Sequence, residues 1–151
     1  MIETPVQLPD YEPTLRVMPM PADCNPFGDI FGGWVMSQVD LAGGIAAMKR
    51  ARGRVGTVSV NAFQFKQPVS PGDHVSVYTQ IVRVGRTSIT VKVELYAERH
   101  YHAPLVVKVT EAELTFVAVD ANGNKRDVPP LEEPHADPLP GALPGADTPV
   151  P

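Results

Sequence analysis

Cysteine is almost missing from this chain. Cys24 stands alone, so no intrachain disulfide can form, and a reducing cytoplasm is the expected setting. Positive charge is also in short supply: 13 Lys and Arg face 17 Asp and Glu, for a net charge of −4. That balance gives no general attraction to nucleic acid or anionic membrane, and neither is expected as a partner. No apolar run approaches the roughly 20 residues of a membrane helix. The opening MIETPVQLPDYEPTLRVMPM lacks a basic stretch followed by an apolar one, so no secretory signal is expected. Histidine is scarce as well. His74, His100 and His102 fall at strand ends and turns without ligand spacing, so no metal or cofactor is expected.

What is present suffices for one domain with a real core: 151 residues, 43% hydrophobic and 20% charged. Two ends bracket it. Residues 1–12 are polar, hold two prolines and read as a flexible arm; residues 13–128 form the folded domain. Residues 129–151 are dense in Pro, Gly, Ala and acidic side chains, a composition that cannot build ladders and predicts a disordered tail.

Within the domain, Thr14 to Met18 is a short strand, and Pro21 to Gly28 an irregular loop. Ile30 to Arg52 carries apolar residues around most of a helical circumference, predicting a helix buried nearly all round. Lys49, Arg50 and Arg52 suit its negative end, with Gly53 as the stop. The period then changes to two. Strands are expected at Val55–Phe65, His74–Val84, Thr87–Glu98 and Leu105–Val119, the middle pair joined at Gly85-Arg86. Four strands that can follow one another and one apolar helix have an economical solution, in which the antiparallel sheet curls around the helix. This is the α+β hotdog fold, a long central helix wrapped by a curved five-stranded sheet. Its open edges favour pairing with another copy.

The stretch Met20 to Gly44, MPADCNPFGDIFGGWVMSQVDLAGG, carries the chemistry. Asp40 sits among apolar helix neighbours, where a lone buried carboxylate is expensive. Gly43 and Gly44 lie mid-helix, at about 1 kcal/mol each relative to Ala. Gly32 and Gly33 open the helix, where backbone N–H groups point outward. Such groups suit acyl transfer, since free N–H groups hold a developing oxyanion. Asp40 lies about 12 Å further along a straight helix. Either the helix starts later than Gly32, or the substrate lies between Asp40 of one chain and the helix start of another.

The run Ala22-Asp23-Cys24-Asn25, then Gly28-Asp29-Ile30-Phe31-Gly32-Gly33-Trp34 and Met36-Ser37-Gln38-Val39-Asp40, resembles the YciA-like acyl-CoA thioesterases. The likeness continues through Val58–Pro68, Val84–Ser88 and Phe116–Asp120, covering roughly residues 15–128. The resemblance implies a hotdog thioesterase acting on acyl-CoA without a cofactor, a homo-oligomer built as a hexamer, a trimer of dimers. Asp40 would act as general base or nucleophile, with Asn25 of the opposite subunit orienting the water or the carboxylate. Gly32 and Gly33 would polarise the carbonyl. Cys24 departs from the small residue expected beside that Asn; as a nucleophile it has no nearby His to activate it.

For CoA, the resemblance implies Arg86 against phosphate, with Thr87 and Ser88 as donors. Ser59, Val60 and Asn61 would offer backbone to the pantetheine arm, and Lys66 and Arg54 are further cationic candidates. Trp34, Met36 and Phe63 either line the acyl tunnel or fill the core. Two rivals stand beside this reading. A hotdog hydratase or dehydratase needs a His base, and no His precedes residue 74. A non-catalytic acyl-CoA-binding regulator would carry a DNA-binding element, which the sequence lacks.

Overall fold

The computed structural model describes residues 4–131. In chain order they form β1 (Leu15–Val17), α1 (Gly32–Ala51), β2 (Val55–Phe65), β3 (His74–Val84), β4 (Ser88–Arg99) and β5 (Leu105–Ala118). β2 and β3 span the residues marked by their alternation. The loop expected to be irregular holds one 3-10 turn, Pro21–Asp23, in which Asp23 accepts from the Met20 amide at 2.8 Å. From residue 132 onward, the expected tail lies outside the described residues.

The five strands form one antiparallel sheet in the order β1-β3-β4-β5-β2. β2 therefore does not pair with β3, its neighbour in sequence. It lies beyond β5, with Thr57 opposite Phe116 and Phe65 opposite Thr110. The connection Pro68–Asp73 must return across the fold, and a buried ion pair pins it. Arg99 Nε reaches Asp73 Oδ2 at 3.1 Å, with both side chains under a tenth exposed. A second Arg99 nitrogen donates to the Pro68 carbonyl. Asp73 also accepts from the Ser70 amide at 2.9 Å.

Ile89, Val91, Val93 and Leu95 of β4 and Leu114 and Phe116 of β5 share a core with Val35, Val39, Ala42 and Ala47 of α1. At Gly43 the helix lies close against β5. A methyl there would meet the Phe116 ring at 3.0 Å, so this mid-helix glycine serves packing. The left-handed residue ending α1 is Arg52 (φ 51°), one position before the glycine expected as the stop. Arg126 donates to the Ala51 carbonyl at 2.8 Å and to Val119 at 3.1 Å, placing a cation at the negative end of the helix.

Two expectations change in the folded chain. α1 is not buried nearly all round: Met36, Asp40, Leu41 and Met48 are exposed and follow one side of it at helical spacing. The segment expected as a loose arm lies against the sheet. Its Val6 amide donates to Val106 at 2.9 Å, and the Tyr11 ring meets Tyr78 edge-on at 5.4 Å. Tyr96, edge-on to Tyr78, lies in a charged network. Tyr96 donates to Glu94 at 2.7 Å, and Lys108 reaches Glu94 at 2.7 Å and Glu111 at 2.9 Å. Burial alone would raise the Glu94 pKa; the bonds from Lys108 and Tyr96 outweigh it and hold the carboxyl below its ordinary 4.5.

Candidate active site

The loop before α1 is zipped onto the helix start. Cys24 and Ile30 form an antiparallel bridge. The Asn25 amide donates to Asp29 at 2.7 Å, and the Phe31 amide to Asp23 at 3.0 Å. Inside this closure Asn25 Oδ1 accepts two backbone amides, from Phe27 at 2.9 Å and Asp29 at 3.1 Å. An asparagine carbonyl is well suited to such a turn. At the tip Gly28 takes φ 88°, and Phe27 is 90% exposed. So Asn25 is anchored at the root of a short loop, beside the first residues of the helix.

α1 begins at Gly32, preceded by Phe31 with no side-chain cap. The first amides of a helix have no preceding turn to donate to, and the positive end of the dipole lies there. The Phe65 ring of β2 stands 3.4 Å from where a Gly32 Cβ would lie. Since the helix does start at Gly32, the option of a later start is removed. Asp40 is then about 12 Å along the axis from those amides. It is exposed rather than buried, and its Oδ1 accepts from Thr57 Oγ1 of β2 at 2.7 Å. Within one chain Asn25 is bonded inside its loop and Asp40 to β2, with no hydrogen bond between them.

The candidate CoA contacts are also divided. Ser88 and Gly56 both stand opposite Val117, which puts the Gly85–Ser88 turn at the start of β2. Lys66 follows the other end of β2, about 30 Å away at strand rise, where it reaches Glu111 at 3.6 Å. Arg86 is 80% exposed and pairs with Asp127 at 2.7 Å, and its carbonyl accepts from Val128 at 2.8 Å. Arg54 donates to Ala121 at 3.4 Å. Asn61 binds Ser59 at 2.7 Å and Thr115 at 2.9 Å, so both side chains are used within the strands. Trp34 and Phe63 pack against the core, whereas Met36 is exposed.

A family model of the thioesterase superfamily matches residues 27–104. A Haemophilus influenzae protein named as an uncharacterized acyl-CoA thioester hydrolase is 49% identical over 117 residues, 76% of each chain. The acyl-CoA thioester hydrolase YciA of Escherichia coli is 42% identical over 85% of this chain and 98% of its own. This chain belongs to the acyl-CoA thioester hydrolases of the thioesterase superfamily. Solved structures of this family share the fold. A hexameric hotdog-fold thioesterase of Campylobacter jejuni superposes with a TM-score of 0.76 at 45% identity, covering 79% of this chain and 91% of its own. A hexameric broad-specificity acyl-coenzyme A thioesterase gives 0.75 at 45% identity, covering 82% and 85%.

Seen as a thioester hydrolase, the chain carries two site neighbours that the sequence left unmarked. Thr57 holds the Asp40 carboxylate, and Phe65 packs on the first helical residue. Both lie on β2, and nothing in their spacing tied them to a helix 15 or more residues earlier. Among the described residues no group of His, Cys, Asp or Glu is arranged to hold a metal, and no helix is long and apolar enough to cross a membrane.

Proposed function

We propose that this protein hydrolyses the thioester of acyl-CoA to a free acid and CoA, at sites shared between two copies. One observation carries the reading: the open amides of Gly32 and Gly33 and the carboxylate of Asp40 lie about 12 Å apart on one helix. Neither half can act on one thioester without the other. The exposed edge of β2 supplies a way to join them. If two copies pair antiparallel through β2 about Asn61, Thr57 of one stands opposite Phe65 of the other. Asp40 is bonded to Thr57, and the Phe65 ring stands over the place a Gly32 Cβ would occupy, so this register brings the carboxylate of one chain to the helix start of its partner.

There the amides of Gly32 and Gly33 hold the thioester oxygen, with Asn25 beside them. Asp40 of the second copy takes a proton from water as that water attacks the carbonyl carbon. The tetrahedral intermediate collapses with cleavage of the C–S bond, and the departing thiolate recovers the proton. In the alternative, Asp40 attacks directly and water resolves the mixed anhydride. A single turnover in heavy-oxygen water separates the two: the base route labels the released acid, the nucleophile route labels Asp40 first. The hexameric assembly of the relatives supports a hexamer, which this reading builds as a trimer of these pairs; the single cysteine fits a cytoplasmic setting. The CoA nucleotide meets Arg86, Thr87 and Ser88, and the β2 backbone at Ser59, Val60 and Asn61 lies along the pantetheine arm. Lys66, at the far end of β2, contacts the nucleotide only if the partner subunit supplies it. The test is a panel of acyl-CoAs assayed for thiol release, with particle mass measured alongside. No thiol release from any chain length, or an active monomer, overturns the proposal.

A further inference from the structure

The Arg86 guanidinium, which the proposed function sets against a CoA phosphate, already carries an anion of this chain. Its Nη1 lies 2.7 Å from the Asp127 carboxylate, with the two side chains 80% and 69% exposed. We infer that Asp127 is a built-in competitor for the nucleotide. Its carboxylate must give up Arg86 before a phosphate of CoA can take it, and so it sets how loosely substrate and product are held.

The main chain makes this more than a chance meeting of two surface side chains. The Val128 amide donates to the Arg86 carbonyl at 2.8 Å and the Arg126 amide to Ala118 at 3.0 Å, so the residues on both sides of Asp127 are pinned. The turn is fixed from its own side, the Gly85 amide donating to Ser88 at 2.8 Å and the Ala118 amide to Thr87 at 2.9 Å. The neighbouring Arg126 is committed elsewhere, to the Ala51 and Val119 carbonyls. An exposed ion pair is screened by water and salt, so this one is easily exchanged. A phosphate brings more acceptor oxygens and up to two negative charges to the planar fork of Arg86, and it wins the exchange. The carboxylate stays tethered beside it and subtracts from the attraction. That subtraction acts only on the nucleotide, which is common to acyl-CoA and to the CoA that leaves. Product release sets the turnover of many enzymes, and a looser nucleotide favours it. The inference rests on the proposed hydrolysis and on Arg86 meeting the nucleotide, and adds the residue that weakens that contact.

The test is Asp127→Asn, which keeps the volume and removes the charge. At low salt the KM for acyl-CoA should fall about three- to tenfold, and the inhibition constants of free CoA and of adenosine 3′,5′-bisphosphate should fall by the same factor. The gain should shrink as salt is added, and the KM for an acyl-pantetheine, which has no nucleotide, should not move. Added to Arg86→Ala, the same substitution should change KM by less than about twofold, because the competition needs Arg86. An acyl-CoA KM that stays the same or rises overturns the inference, a rise meaning that Asp127 positions Arg86 for the phosphate. An equal fall for acyl-pantetheine overturns it too, as does a full effect without Arg86. If Arg86→Ala itself leaves KM unchanged, or the parent protein releases no thiol from any acyl-CoA, the underlying reading has failed instead, and the two failures are told apart.

Discussion

β4 and β2 end in opposite surroundings. β4 lies between β3 and β5, and Ile89, Val91, Val93 and Leu95 have no exposed surface. β2 lies at the edge, leaving Val58 57%, Val60 48% and Phe65 54% exposed. Composition would have put them the other way round, since β4 carries Lys92, Glu94, Glu98 and Arg99 and β2 carries no charge; place in the sheet decides. The difference sets a closed half, packed around β4, against an open half that holds the proposed chemistry, beside an apolar surface that a single chain leaves uncovered. Long exposed edges of this kind are pairing surfaces.

The sharpest way to break that division is to damage the closed half. Arg99→Ala leaves the Asp73 carboxylate buried without its partner, and breaking such a pair costs about 3–5 kcal/mol. Urea unfolding should report that loss, while activity per folded chain stays at the parent level. A matching fall in kcat would show that the two halves are not separate. Damage to the open half should do the reverse. Asp40→Asn keeps the volume and removes the base, so kcat should drop at least about 100-fold with the melting temperature unmoved.

Smaller effects sharpen the picture. Arg86→Ala should raise KM about tenfold with kcat nearly constant, because the nucleotide binds alike in ground and transition states. An acyl-pantetheine lacking the nucleotide should show no change between parent and variant. Thr57→Val frees the Asp40 oxygen and should lower kcat by up to about tenfold, the low end for a hydrogen bond to a charged group. The closed half supplies the smallest effect, read as a pH dependence. Glu94 is held below its ordinary 4.5 in the fold, so its stabilisation is present above that pH and is lost as pH falls through the lower folded value. Lys108→Gln should cost about 1 kcal/mol at neutral pH. The gap between parent and variant should close as acid is added, with Trp34 fluorescence following the unfolding.

Much of this molecule was legible before folding, for reasons that differ by element. β-branched and aromatic enrichment set the limits of β2, and alternation those of β3, although the burial of β3 changes from one end to the other and not from side to side. Alternation says nothing of which strand lies beside which. The jump of β2 to the far edge was therefore hidden, and with it the Thr57–Asp40 bond. The apolar circumference of α1 was read as burial within one chain. Its outward side still carries Met36, Leu41 and Met48 beside Asp40, since hydrophobicity does not distinguish a core from a surface awaiting a copy. Arg126 at the helix end was missed because a cap supplied 75 residues later leaves no local signal. The candidate site residues were named by likeness to a family; the proposal that they need two chains rests on where the helix begins.

The start of α1 at Gly32 has a genetic consequence. If Asn25 and Asp40 of one chain never serve the same substrate, a protein defective in one can be repaired by a protein defective in the other. Asn25→Ala and Asp40→Asn preparations, each nearly inactive, should regain activity when unfolded and refolded together. Each mixed pair holds one site with both residues intact and one with neither. Random pairing between equal amounts yields roughly a quarter of the parent's sites. Two silent alleles of this gene, placed in one cell, should complement each other.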